Sequence, residues 1–255
     1  MNTRNYLARI TATFVLVSAV TLSAFTLKNS KAQWLFADNG TLTHINSQQA
    51  TSGWQLMLRA PGSRYDTLSS RQVPAPTVSA ENGKAVITWQ DIPLPRTAAT
   101  VTIQQTIALR DDGAAIWETV VKGLPEQLQW DIASPLISLS EPQTPSVLAI
   151  PEQTGRLYLR PFGLNRLELA YPSQASMQFM AFTTADSGLL LYAQDPLWLS
   201  KKLIAEAHNA TLTLAIAQTA ADGKTPPVIL QPFTGDATAA ARLYGDWAAS
   251  SCSGI

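Results

Sequence analysis

The sequence holds one cysteine, Cys252, and a lone cysteine cannot close an intrachain disulfide. Stability must therefore come from a packed core. Cys252 has no histidine near it in the sequence to activate its thiol, which argues against thiol catalysis. Charge is also scarce. Charged residues make up 14% of the chain, against roughly 25% in an ordinary globular domain. Eighteen Lys and Arg balance eighteen Asp and Glu, so there is no basic footprint for nucleic acid or an anionic membrane. Only two histidines occur, His44 and His208, and neither has an acidic partner close by in sequence. Proton shuttling of the mutarotase kind, which pairs a histidine with a carboxylate, is therefore not expected. No Cys or His pair has metal-ligand spacing, and no Asp-rich calcium loop, phosphate loop or nucleophile elbow is found. No metal and no cofactor is expected.

What the chain does have is apolar mass, with 46% hydrophobic residues. At the N-terminus, Arg4 and Arg9 precede an apolar stretch from Ile10 to Leu27, and Ser30-Lys31-Ala32 forms a small-x-small triplet ahead of Gln33. This layout predicts a secretory signal peptide over residues 1–32, an exported protein, and no other membrane segment. An uncleaved anchor is the rival reading, since the run reaches the minimum spanning length.

From Trp34 onward, short apolar runs alternate with turn residues. Between Thr100 and Leu109, Val101, Ile103, Ile107 and Leu109 share one face, while Thr100, Thr102, Gln104 and Thr106 share the other. Such alternation describes a strand with one face on a core. Asp111-Asp112-Gly113 then predicts a hairpin into Ala114–Lys122. Further strands are predicted at 85–89, 177–183, 189–193, 203–207, 211–216 and 228–231. The expected fold is all-β, a large antiparallel two-sheet sandwich over residues 33–234. One segment differs. Ala237–Ala249 is Ala-rich with Leu243, Tyr244 and Trp247 near one face, and Asp236 is placed to cap it. This predicts a single C-terminal helix within residues 235–255.

The C-terminal third carries a set of short motifs: Tyr171-Pro172-Ser173, Ser176 to Ala181, Gly188 to Tyr192, Asp195-Pro196, and Phe233 to Asp236 leading into Ala240 to Trp247. In these the chain resembles a bacterial family of glycoside-hydrolase-like proteins of uncharacterised function. The resemblance is densest between Leu157 and Trp247. It implies a galactose-mutarotase-like supersandwich, a helix leading out of it, and a following (β/α)8 barrel that would supply the catalytic carboxylates. That barrel is missing from this sequence, so no catalytic residue is expected here. The family position of Asp195 implies a place near the concave face.

Asp111 and Asp112 fit a turn. Glu118, two residues from Ile116 and from Val120, is expected to face the core in an ion pair. Sugar binding needs aromatic faces and planar polar groups, which Tyr171, Gln178, Tyr192, Asp195, Trp198 and Arg160 could supply, with Arg156 nearby. Against this stands the demand of the core for aromatics, which should take at least four of the seven tryptophans. Two functions follow: a non-catalytic glycan-associated domain, or a docking module for a separate glycosidase barrel, with an exposed apolar patch at Tyr244 and Trp247.

Overall fold

A computed structural model describes residues 25–59, 65–126, 128–185, 187–219 and 222–252. In chain order the strands are β1 Phe25–Lys28, β2 Gln33–Phe36, β3 Leu42–Ile45, β4 Gln48–Arg59, β5 Tyr65–Ser69 and β6 Thr77–Glu81. Next come β7 Lys84–Pro93, β8 Thr100–Leu109, β9 Ala115–Lys122, β10 Gln129–Ser140, β11 Val147–Ile150 and β12 Arg156–Tyr158. The last six are β13 Arg166–Tyr171, β14 Phe179–Thr183, β15 Gly188–Ala193, β16 Lys201–His208, β17 Thr211–Gln218 and β18 Val228–Phe233. One helix follows, α1 Ala237–Cys252.

The strands form two nine-stranded antiparallel sheets, so the expected all-β sandwich with one C-terminal helix is the observed fold. The first sheet runs β1-β2-β3-β4-β10-β17-β16-β13, with β5 also on β4. The second runs β12-β11-β14-β15-β18-β9-β8-β7-β6. Strand β8 shows why the chain folds this way. Val101, Ile103 and Ile107 are sealed in the core, and the intervening threonines are partly exposed. Trp34, Trp54, Trp89 and Trp117 all belong to that core, which meets the expected demand for tryptophan. Each large apolar side chain buried this fully contributes about 1.5–3 kcal/mol.

The sandwich begins earlier than the sequence suggested. Residues 1–24 of the expected signal peptide lie outside the described residues, but Phe25–Lys28 is a strand paired with β2. Leu27 and Ala32 are buried, and Phe25 stacks on Phe36 at 4.7 Å. Asn29 closes the turn: its side-chain Oδ1 accepts from the Lys31 and Ala32 amides, and its Nδ2 donates to the Arg110 carbonyl. Among the described residues, the strands thus begin at Phe25, ahead of Gln33, and a cut after Ala32 would remove one of them.

Helix α1 lies on the outer face of the second sheet. Ala240, Tyr244 and Trp247 pack with Phe179, Tyr192 and Ile229. Asp236 caps it as expected, its carboxylate accepting from the Thr238 and Ala239 amides at 2.9 and 3.1 Å. Glu118 reverses one expectation. Trp117, Thr119 and Val121 point inward, so Glu118 lies on the outer face, where it meets Lys224 at 3.3 Å. The ion pair is present, but the neighbours that set its facing are on the outer side too. Asp112 sits in the expected turn, where it accepts from the Ala114 amide.

Candidate functional site

The six sugar-site candidates do not form an open site. Five of them meet at one end of the sandwich. Asp195 follows β15 and Lys201 opens β16, and their side chains form an ion pair of 2.7 Å with almost no exposure. The Asp195 carboxylate also accepts from the Leu197 and Leu199 amides, at 3.0 and 2.8 Å. Lys201 donates a second bond to the Leu199 carbonyl, and its Nζ stands 5.2 Å from the centre of the Tyr171 ring. Burial pulls the Lys201 pKa below the usual lysine value, against the opposing pull of Asp195. Burial raises the Tyr171 phenol, and the Asp195 charge raises it further.

Gln178 is buried, and its Nε2 donates to the Asp195 carbonyl at 2.9 Å, so it serves the neighbouring loop. Its Oε1 has no partner among the described residues. Tyr192 is buried beneath α1, against Tyr244 and Trp247. Trp198 is half-buried, with its ring 5.9 Å from that of Trp247. Arg160 stands apart, exposed at the start of the 3-10 turn Pro161–Gly163, in a separate depression with Pro142 and Phe162. Asp195 is paired with Lys201 and bonded to two backbone amides, and Tyr171, Gln178 and Tyr192 are buried.

What this buried cluster does is hold a loop. The segment from Asp195 to Lys201 wraps around one carboxylate, with Trp198 in the left-handed region at φ 54°. A bulky side chain seldom adopts that backbone unless its surroundings impose it. The loop drives Leu197 out to 75% exposure and Leu199 to 48%. Met177, just before Gln178, is exposed at the same end. The apolar patch expected at Tyr244 and Trp247 is not found there. Tyr244 is buried under the helix, and Trp247 is half-buried against Tyr192 and Trp198.

A second feature comes from the N-terminal half. Strand β4 pairs with β3 at Gln48 and Gln49, and with β5 from Gln55 to Arg59. Among the described residues, no strand covers that edge from Ala50 to Trp54. On its other side, β10 bulges between Ala133 and Leu136, and Leu136 pairs with Gly53. The bulge turns Ser134 inward, where its hydroxyl meets Gln105 Nε2 at 2.7 Å and Thr119 Oγ1 at 2.6 Å. Gly53 lets Ser70 approach closely, since a Cβ there would stand 2.7 Å from Ser70 Oγ. The result is a cleft of about 400 Å³ whose lining includes Asn39, Thr41, Arg71, Trp89 and Gln105. Thr51, Ser52, Gly53, Ser70 and Arg71 also line a neighbouring cleft of about 480 Å³ over the outer face of the first sheet. Ser138, Thr213, Glu206 and His208 line that second space. Among the described residues, no three His, Cys, Asp or Glu side chains converge as a metal site.

No family model matches the chain, and no curated protein matches it. Solved structures do share its fold. One is the α-N-acetylgalactosaminidase NagBb from Bifidobacterium bifidum as a quadruple mutant, with a TM-score of 0.63 and 11% identity over 89% of this chain. The ligand-free form of that enzyme gives 0.62 at 12% identity, again over 89% of this chain. The sandwich architecture is therefore one found within a glycoside hydrolase. The chain spans only 39% of the quadruple mutant's length and 38% of the ligand-free form's.

Proposed function

We propose that this chain is a non-catalytic, carbohydrate-associated β-sandwich that docks on a glycosidase barrel, carried in a separate chain or a further domain, and helps position its glycan. The observation that carries the reading is the Asp195–Lys201 loop. Exposing two leucines is unfavourable in water, and here they are held out by a buried ion pair and two amide bonds. A rigid apolar projection of this kind loses little freedom on binding, which favours association. The shared fold with an enzyme whose sequence is more than twice the matched length supports a partial role. The basic and apolar N-terminal layout favours action outside the cytoplasm.

The test is co-expression with glycosidase barrel proteins of the same genome, followed by size-exclusion chromatography. Co-elution that is lost in Leu197→Asp and Leu199→Asp variants of unchanged melting temperature supports docking. A chain that never co-elutes, or co-elutes equally well with both aspartates, overturns it.

A further inference from the structure

We infer that the cleft at the uncovered edge of β4 binds a short oligosaccharide, in a place unrelated to the residues that the sequence motifs favoured.

The argument begins with Gln105. It occupies a core-facing position of β8, where its neighbours in phase are Ile103 and Ile107, and it is only 1% exposed. A buried amide must satisfy two donors and one acceptor or lose stability. Its Nε2 bonds to Ser134, while its Oε1 accepts no hydrogen bond among the described residues. Gln105 nevertheless lines the cleft, so that oxygen is available to a hydroxyl arriving there. The second deep lining residue is Trp89, 7% exposed and held edge-on to Trp54 at 5.7 Å. The small part of that indole that reaches the cleft gives its lining an apolar component.

Around these two, the lining is hydroxyl and amide. Asn39, Thr41, Ser52 and Ser70 can exchange hydrogen bonds with sugar hydroxyls. Arg71 is exposed, forms no ion pair among the described residues, and lines both clefts. Its planar guanidinium can donate to two adjacent hydroxyls at once. In the second cleft, Glu206 is paired with Arg166 at 2.6 Å. The two spaces adjoin and are of a size that holds small organic ligands, roughly 300–1,000 Å³. A partly apolar lining, an open acceptor and several hydroxyl and amide groups together match a polyhydroxyl ligand such as a saccharide better than an apolar one. This inference deepens the carbohydrate reading above and rests on it, but it makes no use of the docking loop.

The test is an NMR titration of the intact chain with lactose, maltotriose and cellotriose. Saturable shifts of the Trp89 indole and Gln105 amide signals with at least one probe are expected. Arg71→Ala, an exposed change that leaves the fold intact, should weaken that binding about tenfold, and Gln105→Leu by as much. If Gln105→Leu fails to fold, Arg71→Ala still decides. Leu197→Asp should leave the titration unchanged even where it abolishes docking, so the two readings fail separately. Three silent titrations up to about 50 mM, shifts confined to other surfaces, or unaltered binding by Arg71→Ala each overturn the site.

Discussion

The Lys201 ammonium lies 2.7 Å from the Asp195 carboxylate with both side chains cut off from water. Two charges in such a place are tolerated only because each finds its opposite and further hydrogen bonds complete the set. Leu197 and Leu199 contribute amides to that set, so the ion pair and the exposed leucines are one unit. The first prediction tests that unity. Lys201→Met alone strands a buried carboxylate and should cost about 3–5 kcal/mol in urea unfolding. Adding Asp195→Asn removes the stranded charge and should recover a large part of the loss. A double-mutant coupling near zero would show that the two residues act independently.

Strand β1 gives the second. A chain that begins at Gln33 lacks the β1–β2 pairing, the Phe25–Phe36 stack and the buried Leu27. Loss of Leu27 alone is worth about 1.5–3 kcal/mol. Thermal unfolding should therefore show a clearly lower melting temperature than for a chain that begins at Phe25. Equal melting temperatures would mean that the first hairpin contributes nothing to stability.

The sheets were legible in the sequence because local alternation and turn residues carry that information. Strand β8 is found at 100–109, as the alternation predicts, and the helix cap at Asp236 was readable from its position. The site was another matter. Gln105 interrupts the apolar phase of Val101, Ile103, Ile107 and Leu109, and that interruption is the one local sign of the cleft. The cleft itself depends on where β3 and β5 stop along β4, a long-range register that no local window contains. Composition cannot tell a tyrosine that faces a ligand from one that seals a helix, and Tyr192 does the latter. At the N-terminus, an apolar run suits a signal segment and a buried strand equally, and Phe25–Lys28 forms a strand on β2.

Tyr244 provides the third prediction. Its ring lies 4.9 Å from Phe179 and 5.8 Å from Tyr192, between α1 and the second sheet. Its hydroxyl also accepts from the Gln178 amide at 3.4 Å. Truncation to alanine should cost about 3–5 kcal/mol and speed amide exchange throughout α1. Tyr244→Phe keeps the ring and should lose far less. Exchange rates in α1 that do not respond to the alanine variant would mean that the helix is held by other contacts.

The last prediction concerns acid. The amides of Ala239 and Thr238 donate to the Asp236 carboxylate and hold its pKa below the usual aspartate range. Those bonds favour the ionised form, so the folded chain gives up this proton more readily than the unfolded chain does. The stabilisation is therefore complete above the unfolded aspartate pKa and fades as pH falls through the lower folded value. Asparagine offers the same amides a neutral acceptor, and alanine offers none. Near neutral pH, Asp236→Asn should melt close to the parent chain, while Asp236→Ala should melt lower. As the pH is taken below the ordinary aspartate range, the parent should lose its advantage over Asp236→Ala. The gap between Asp236→Asn and Asp236→Ala should persist. Calorimetric melts of all three chains across that range read the result. A parent that keeps its full advantage over Asp236→Ala in strong acid would show that the helix start does not depend on this charge.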